Sequence, residues 1–332
     1  MPGKNPTVAI VIPALNAQAY IRETLQSVLA LDYPADSLEL IVVDDGSGDN
    51  TASIVRMTMK GTAWRWQLVA SKGKGPSAAR NTGWRLSQAE WIQFLDADDL
   101  LAPSKLRVQL VNPATEDESV AVIYSPWQPW RQGTDGRWAG ASGIITPSVA
   151  SQALEDLMSE NNFIATGSQV FRRRWLERMG GFDERRCLIE DIHLALRLAI
   201  AGARFVRVDS SKPLFFYRQV DGSQSRRDKA GFLKGVRDNT AMVQEHWETQ
   251  AVGITTQQRM LLLAQYAQVM RGCRLLDVQL FDETLERVRA LQPGWLPRNR
   301  RMVVWLSRLV GYRTTEGFAL RWIALRRQMI GR

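Results

Sequence analysis

Short apolar runs alternate with amphipathic stretches through the first hundred residues. Thr7–Ile12 and Leu38–Val43 are almost continuously apolar, the pattern of strands covered on both faces. Between them, Ala19–Leu31 places Ile21, Leu25, Val28 and Leu29 at helical spacing and stops near Tyr33-Pro34. Asp49 or Asn50 can cap a following helix that runs through Lys60. Gln67–Ala70 then reads as a short strand, Ser77–Gln88 as a helix and Trp91–Leu95 as a buried strand rich in aromatic and β-branched residues. Strands and helices in strict alternation predict an α/β fold, with a Rossmann-like, mostly parallel sheet flanked by helices.

The middle of the chain is less regular. Val120–Trp130 reads as one strand, residues 131–141 as a Gly-rich hairpin or loop, and Pro147–Met158 as a helix. Gln169–Phe171 is a short strand leading into a basic helix, Arg172–Met179. A turn at Gly180–Glu184, a helix at Ile189–Ala201 and closing strands at Phe205–Val208 and Leu214–Tyr217 follow. Beyond Asp228 the pattern is helical, with candidates at Gly231–Thr249, Thr256–Leu276, Asp282–Leu291, Met302–Val310 and Gly317–Met329. A polar, charged stretch at Ser225–Lys229 marks a boundary, giving a domain over residues 1–225 and a helical C-terminal region over 226–332.

Polar clusters follow three of the predicted strands: Pro13-Ala14-Leu15-Asn16, Asp44-Asp45-Gly46-Ser47 and Asp96-Ala97-Asp98-Asp99. Ligands of open α/β sheets bind beyond the carboxyl ends of the strands, so the three clusters converge on one rim. Asp96, Asp98 and Asp99 crowd three carboxylates into four positions, and their mutual repulsion calls for a cation. Oxygen ligands at that density suit a hard divalent ion, Mg²⁺ or Mn²⁺. An acidic strand-to-loop turn accounts for the triplet equally well when it is taken alone.

Bulk composition narrows the class. The 332 residues carry a formal charge of +9 and 45% apolar residues, which favours anionic partners: nucleic acid, a membrane surface or a phosphorylated substrate. No zinc-finger, helix-turn-helix or RNA-binding aromatic signature supports the nucleic-acid reading. Two cysteines, Cys187 and Cys273, without a CxxC, argue against a disulfide framework or zinc site and fit a cytoplasmic setting. The first apolar run is too short for a secretion signal, and no stretch is long enough for a transmembrane helix.

In order and spacing, the motifs resemble family 2 glycosyltransferases, whose nucleotide-sugar-binding fold is called GT-A. The likeness runs from Thr7 to Ser225. It rests on Val8–Asn16, Ile41–Ser47, Gly75-Pro76-Ser77-Ala78-Ala79-Arg80-Asn81-Thr82-Gly83, Phe94–Asp99, Gly180–Glu184 and Glu190-Asp191. It implies an inverting, metal-dependent transfer of a sugar from a nucleotide-sugar donor, UDP-linked by preference, to a glycan or lipid-linked acceptor. By the resemblance Asp45 accepts the uracil N–H with Asp44 beside it, and Pro13, Ala14 and Asn16 line the base pocket. Gly75 and Arg80 lie beside the nucleotide. Asp98 is the direct metal ligand, Asp96 contacts the ribose or the metal through water, and Asp99 supports them. Glu190 and Asp191 form the catalytic pair, with Asp191 the general base. Arg218 would pair with the donor diphosphate, although Val220 stands where a His is common. Thr166-Gly167-Ser168 falls at the sugar or acceptor edge.

Each assignment has a local structural alternative. Asp44-Asp45-Gly46-Ser47 is ordinary turn sequence, Arg80 can lie on a solvated helix face, and Glu190 and Asp191 can be first-turn acids complementing a helix dipole. His193, two positions beyond Asp191, faces away from it and reads as packing or surface. The Gln-x-x-Arg-Trp signature and membrane helices of processive synthases are missing, which favours transfer of a single sugar over polymer extrusion. A catalytically silent nucleotide-sugar or glycan-binding module on the same fold is the competing reading. At the C-terminal end, Trp295–Leu306 mixes arginines with tryptophans, as in a helical cap or a peripheral contact with the inner face of the cell membrane.

Overall fold

A computed structural model describes residues 7–159, 162–186, 188–220, 227–296, 307, 311–315 and 318. Two compact units divide the chain, Met1–Ser223 and Gln224–Arg332. In the first, the expected alternation holds: β1 Val8–Ala14, α1 Ile21–Leu29, β2 Leu38–Asp44, α2 Thr51–Met59, β3 Arg65–Ala70, α3 Pro76–Leu86 and β4 Trp91–Phe94. After these come β5 Leu100–Leu101, α4 Lys105–Leu110, β6 Val120–Tyr124, β7 Trp127–Gln132, β8 Trp138–Gly140, α5 Ala153–Met158 and β9 Gln169–Arg172. The unit closes with α6 Arg173–Met179, α7 Glu190–Ile200, β10 Arg204–Arg207 and β11 Phe215–Arg218.

Seven strands form the main sheet in the order β10-β6-β9-β4-β1-β2-β3. β1 pairs in parallel with both β2 and β4, with Ala14 opposite Asp44 and Val11 opposite Phe94. This register brings the three polar clusters to one edge. Only β9 runs against its neighbours, antiparallel to β4 and β6. Alternate β1 residues feed two cores, as a pleated strand requires. Val8, Ile10 and Ile12 pack with Ile21, Leu25 and Val28 of α1 and Val55 and Met59 of α2. Ala9 and Val11 pack with Ala79 and Trp84 of α3 and with Leu194 and Leu198 of α7. Each fully buried aliphatic side chain contributes about 1.5–3 kcal/mol relative to exposure, so the doubly covered strands make a rigid base for the rim.

Two expectations are corrected. The run Val120–Trp130 is two strands: β6 in the main sheet and β7 in a small sheet ordered β5-β11-β7-β8. The break falls at Ser125-Pro126, because proline has no N–H to extend the ladder. There Ser125 N donates to Ser168 O (3.2 Å), and Pro126 O accepts from Leu214 N (2.9 Å). The helix expected over Pro147–Met158 occupies only Ala153–Met158. Ahead of it the backbone N–H groups find side-chain acceptors instead: Ser148 on Asn162 Oδ1, Val149 on the Tyr124 hydroxyl and Ala150 on Asp156 Oδ2. The expected hairpin does form, with Trp130 opposite Gly140.

Among the described residues the second unit contains three long helices, Lys229–Glu248, Thr256–Cys273 and Val278–Leu291. Asp228, Thr255 and Asp277 cap them, Thr255 through a reciprocal box with Gln258. Leu262, Tyr266, Val269, Phe281 and Val288 form its core, and the Tyr266 hydroxyl donates to Gln244 Oε1 (2.7 Å). All but Ser307 and Phe318 of the helices expected at Met302–Val310 and Gly317–Met329 lies outside the described residues, as do residues 297–306 of the basic aromatic stretch and 221–226 after β11. No helix among the described residues is long and apolar enough to cross a membrane.

Candidate active site

The first two polar clusters lace together. Asn16 takes a left-handed conformation (φ 50°), so that its Oδ1 accepts from Gly48 N (2.9 Å) while its own N donates to Ser47 Oγ (3.0 Å). Asp44 Oδ1 accepts from Ser47 N (2.9 Å), which is the local turn role its sequence allows. Asp45 is held differently. Its N donates to Ala14 O (2.8 Å) and its Oδ2 accepts from Gly75 N at the start of α3 (2.8 Å). Its Oδ1 is buried with no hydrogen-bond partner among the described residues. Buried carboxylate oxygens are ordinarily satisfied, so an acceptor is left open beside Ala14 and Gly75, the backbone partners of Asp45.

Arg80 ties the rest of the rim together. It is 4% exposed, which rules out the solvated face that its helix position permitted. One guanidinium nitrogen donates to Asp96 Oδ1 (2.7 Å) and another to Glu190 Oε1 (2.5 Å), while the cation sits 5.3 Å from the centre of the Phe182 ring. Planar fork geometry lets one arginine hold two carboxylates in fixed relation. Burial raises the Glu190 pKa, and Arg80 partly offsets that rise.

Asp98 and Asp99 are each raised by burial and by a neighbouring carboxylate. Burial, then the Asp96 charge, pushes Asp98 up to about 6. Asp99 is almost wholly enclosed, accepts from Arg218 N (2.8 Å), and is raised well above the usual carboxylate range by burial and by Asp98 and Asp96. Arg218 itself is 2% exposed on β11. Its Nη2 donates to Glu23 Oε2 of α1 (2.5 Å), and the guanidinium lies 5.2 Å and 5.9 Å from the Trp138 and Tyr20 ring centres. The remaining Nε and Nη1 have no hydrogen-bond partner among the described residues.

Asp191 stands on the first turn of α7. Its Oδ2 accepts from the Thr166 hydroxyl (3.0 Å) and its Oδ1 from Ile192 N (2.8 Å). Ile189, just before the pair, is left-handed at φ 51°, a conformation costly for a β-branched residue and the kind of strain that gathers at functional sites. Gly181, in the turn against α3, has φ 78°, and a Cβ there would lie 2.3 Å from Asn81 Oδ1, so only glycine fits. His193 packs beneath that turn, its Nε2 3.9 Å from Asp183 Oδ2, as the packing reading expects.

The family model for glycosyl transferase family 2 matches residues 9–180, just over half of the chain. The chain belongs to glycosyl transferase family 2. Succinoglycan biosynthesis protein ExoO of Rhizobium meliloti (strain 1021) is 30% identical over 232 residues, covering 67% of this chain and 64% of ExoO. Probable glycosyltransferase YdaM of Bacillus subtilis (strain 168) is 30% identical over 199 residues, covering 58% of this chain and 46% of YdaM. The matches thus span less than two thirds of these relatives. Among solved structures, S. aureus TarS 1-349 in complex with UDP superposes with a TM-score of 0.66 at 19% identity, over 95% of this chain and 91% of that one. The mannosyltransferase PcManGT from Pyrobaculum calidifontis, in complex with GDP-Man and Mn²⁺, gives 0.50 at 19% identity, over 97% and 88%. These likenesses establish the GT-A fold.

Within this family 2 chain, the structure brings Asp96, Glu190 and Arg80 into direct contact, sets Asp98 and Asp99 beside Asp96, and places Asp45 against Gly75. Arg218 is joined to the acidic cluster through its backbone, and its side chain is enclosed by Tyr20, Glu23 and Trp138, which the sequence reading did not connect to it. A polar cavity of about 370 Å³ opens between Arg85, Gly181, Asp183, His193 and Arg197, and none of the expected nucleotide or metal residues lines it. Among the described residues no three His, Cys, Asp or Glu side chains form a self-sufficient metal cage. A half-buried carboxylate at Asp98, raised by burial and then by the neighbouring Asp96, nonetheless fits an ion whose remaining ligands are phosphate and water.

Proposed function

We propose that this chain is an inverting, divalent-metal-dependent glycosyltransferase that moves a single sugar from a nucleotide-sugar, UDP-linked by preference, to a hydroxyl of a glycan or lipid-linked acceptor. The observation that carries the reading is the Arg80 bridge. It joins Asp96 beside Asp98, the donor end of the site, to Glu190 beside Asp191, the acceptor end. In this reading the unpartnered Asp45 Oδ1 accepts the uracil N–H, and Pro13, Ala14 and Asn16 bound the base. Asp98, with Asp96, would hold Mn²⁺ or Mg²⁺, which as a Lewis acid stabilises the departing diphosphate. Asp191, oriented by Thr166, takes the proton of the acceptor hydroxyl. The acceptor oxygen bonds to the anomeric carbon from the face opposite the breaking carbon–oxygen bond to phosphate, so configuration inverts and the nucleoside diphosphate leaves. Arg218, enclosed beside Asp99, keeps two N–H groups without a partner among the described residues, and in this reading they pair with the diphosphate.

The neighbours support the donor class. TarS is solved with UDP and with UDP-GlcNAc, and PcManGT with GDP-Man and Mn²⁺. The succinoglycan biosynthesis protein ExoO and the Bacillus subtilis minor teichoic acid biosynthesis protein GgaA support polysaccharide biosynthesis as the setting. A panel of UDP- and GDP-sugars, with donor turnover read in Mn²⁺, Mg²⁺ or EDTA, tests the activity. Asp191→Asn should keep UDP affinity and lose at least about 100-fold in turnover, the usual contribution of a general base. Full turnover by that variant removes the base, and full turnover in EDTA removes the metal. Binding of nucleotide-sugar without turnover of any donor would favour the silent binding module. Contact with anionic membrane draws support from the +9 charge and from exposed Leu275, Leu276 and Val278 near Arg271. Co-sedimentation with anionic vesicles that Leu276→Asp leaves unchanged would retire that surface.

A further inference from the structure

Lys105 at the start of α4 is fully buried and makes no ion pair among the described residues. Its ammonium donates to Gln93 Oε1 of β4 and to Gln109 Oε1 (2.5 Å), one helical turn further along α4. Both glutamines use their other end on backbone carbonyls. Gln93 Nε2 donates to Phe94 O (2.5 Å) and Gly167 O (3.1 Å). Gln109 Nε2 donates to Ile123 O and Ser168 O, both at 2.9 Å. Lysine has donors only, so it forces both amide oxygens toward itself and both NH₂ groups toward the carbonyls. A flip of either glutamine would oppose an NH₂ group to the ammonium.

Two of the four carbonyls so gripped, Gly167 O and Ser168 O, belong to the tight turn Thr166–Ser168; the other two, on Phe94 and Ile123, anchor the glutamines to the main sheet. Gly167 lies flat against β11, where a Cβ would be 2.1 Å from the Phe215 ring. From this turn the Thr166 hydroxyl reaches Asp191. We propose that Lys105 is a positioning residue for the acceptor end of the site: through Gln93 and Gln109 it fixes the Thr166–Ser168 turn, and the turn aims the Thr166 hydroxyl at Asp191. The inference rests on Asp191 being the general base. A buried lysine without a counter-ion among the described residues is costly, and its two N–H···O bonds to the amide oxygens are what offset that cost here. Apolar packing alone would be served as well by methionine. What methionine lacks is the ability to set the two amides.

Kinetics on the full chain test this with Lys105→Met, Thr166→Val, the double variant and Asp191→Asn, all assayed well below their Tm. Lys105→Met should fold, hold donor KM and UDP Kd within about threefold, and lose about tenfold in kcat. Together with Thr166→Val it should lose no more than Thr166→Val alone, because both act through one hydroxyl. Wild-type kcat in Lys105→Met, or losses that multiply in the double variant, would overturn the proposal. If Lys105→Met does not fold, Gln109→Glu gives the lysine a carboxylate while removing the donor to Ser168 O. It should fold with lowered kcat, and wild-type kcat there overturns the proposal equally. Full turnover by Asp191→Asn would sink the base assignment itself. An inactive Asp191→Asn beside a fully active Lys105→Met would sink only the positioning role.

Discussion

Replacing Arg80 with methionine removes a cation that touches both ends of the rim. The guanidinium side chain is 5% exposed, and its partners differ: Glu190 is 10% exposed and Asp96 36%. Breaking a buried pair from one side typically costs about 3–5 kcal/mol, because a charge is left without compensation. Asp96 can recover much of its hydration, whereas Glu190 cannot, so the lower end, about 3 kcal/mol, applies here. For a unit of this size each kcal/mol moves Tm by roughly 2–4 °C, giving a fall of about 6–12 °C at pH 8. The sign of the pH dependence follows from Glu190, whose folded pKa already lies above its ordinary 4.5 through burial and rises further once Arg80 is gone. A carboxyl raised in the folded state favours folding when protonated, and that advantage is lost as pH climbs through the folded pKa. The deficit of Arg80→Met should therefore be smallest near pH 5 and largest at pH 8. Thermal unfolding of both proteins by near-UV circular dichroism across that range is the measurement. A loss below about 2 °C, or one equal at pH 5 and pH 8, would show that the bridge does not neutralise a buried Glu190.

Asp98 gives a second pH signature. Its value near 6 means that stability of the metal-free protein declines as pH rises from 3.8 through about 6, while a bound cation needs the charged form. Stabilisation by Mn²⁺ in thermal-shift assays should accordingly be full above pH 7, fade below 6 and vanish in Asp98→Asn; a shift surviving in that variant would exclude Asp98 as ligand. Asp45→Asn keeps an acceptor for Gly75 N but presents an NH₂ group where Oδ1 stands, so UDP affinity by calorimetry should fall about tenfold or more, and unchanged affinity would place the base elsewhere. Gly167→Ala should cost about 1–3 kcal/mol in urea unfolding, because the Phe215 ring is held in the core and cannot retreat from a Cβ 2.1 Å away; a neutral result would mean that the ring has room to move.

What the sequence determined is local. Apolar runs of strand length, helical spacing between them and polar residues after each run are short-range signals. They located β1, β2 and β4, and with them the shared rim of Pro13–Asn16, Asp44–Ser47 and Asp96–Asp99. The tertiary structure decided what those residues touch. Arg80 and Glu190 are 110 positions apart, and Asp99 and Arg218 are separated by 119, so no local pattern records either contact. On its helix alone, Arg80 is as compatible with solvent as with a buried bridge; packing of α3 against β1 and of the Phe182 turn against Arg80 chose the bridge. Gln93 in an apolar strand and Lys105 near a helix start each look like polar interruptions. Only the docking of α4 beside β4 and the Thr166–Ser168 turn makes them one network. Propensity and patterning act over a few residues, and closing a loop of a hundred is decided by which buried surfaces and polar groups can all be satisfied at once.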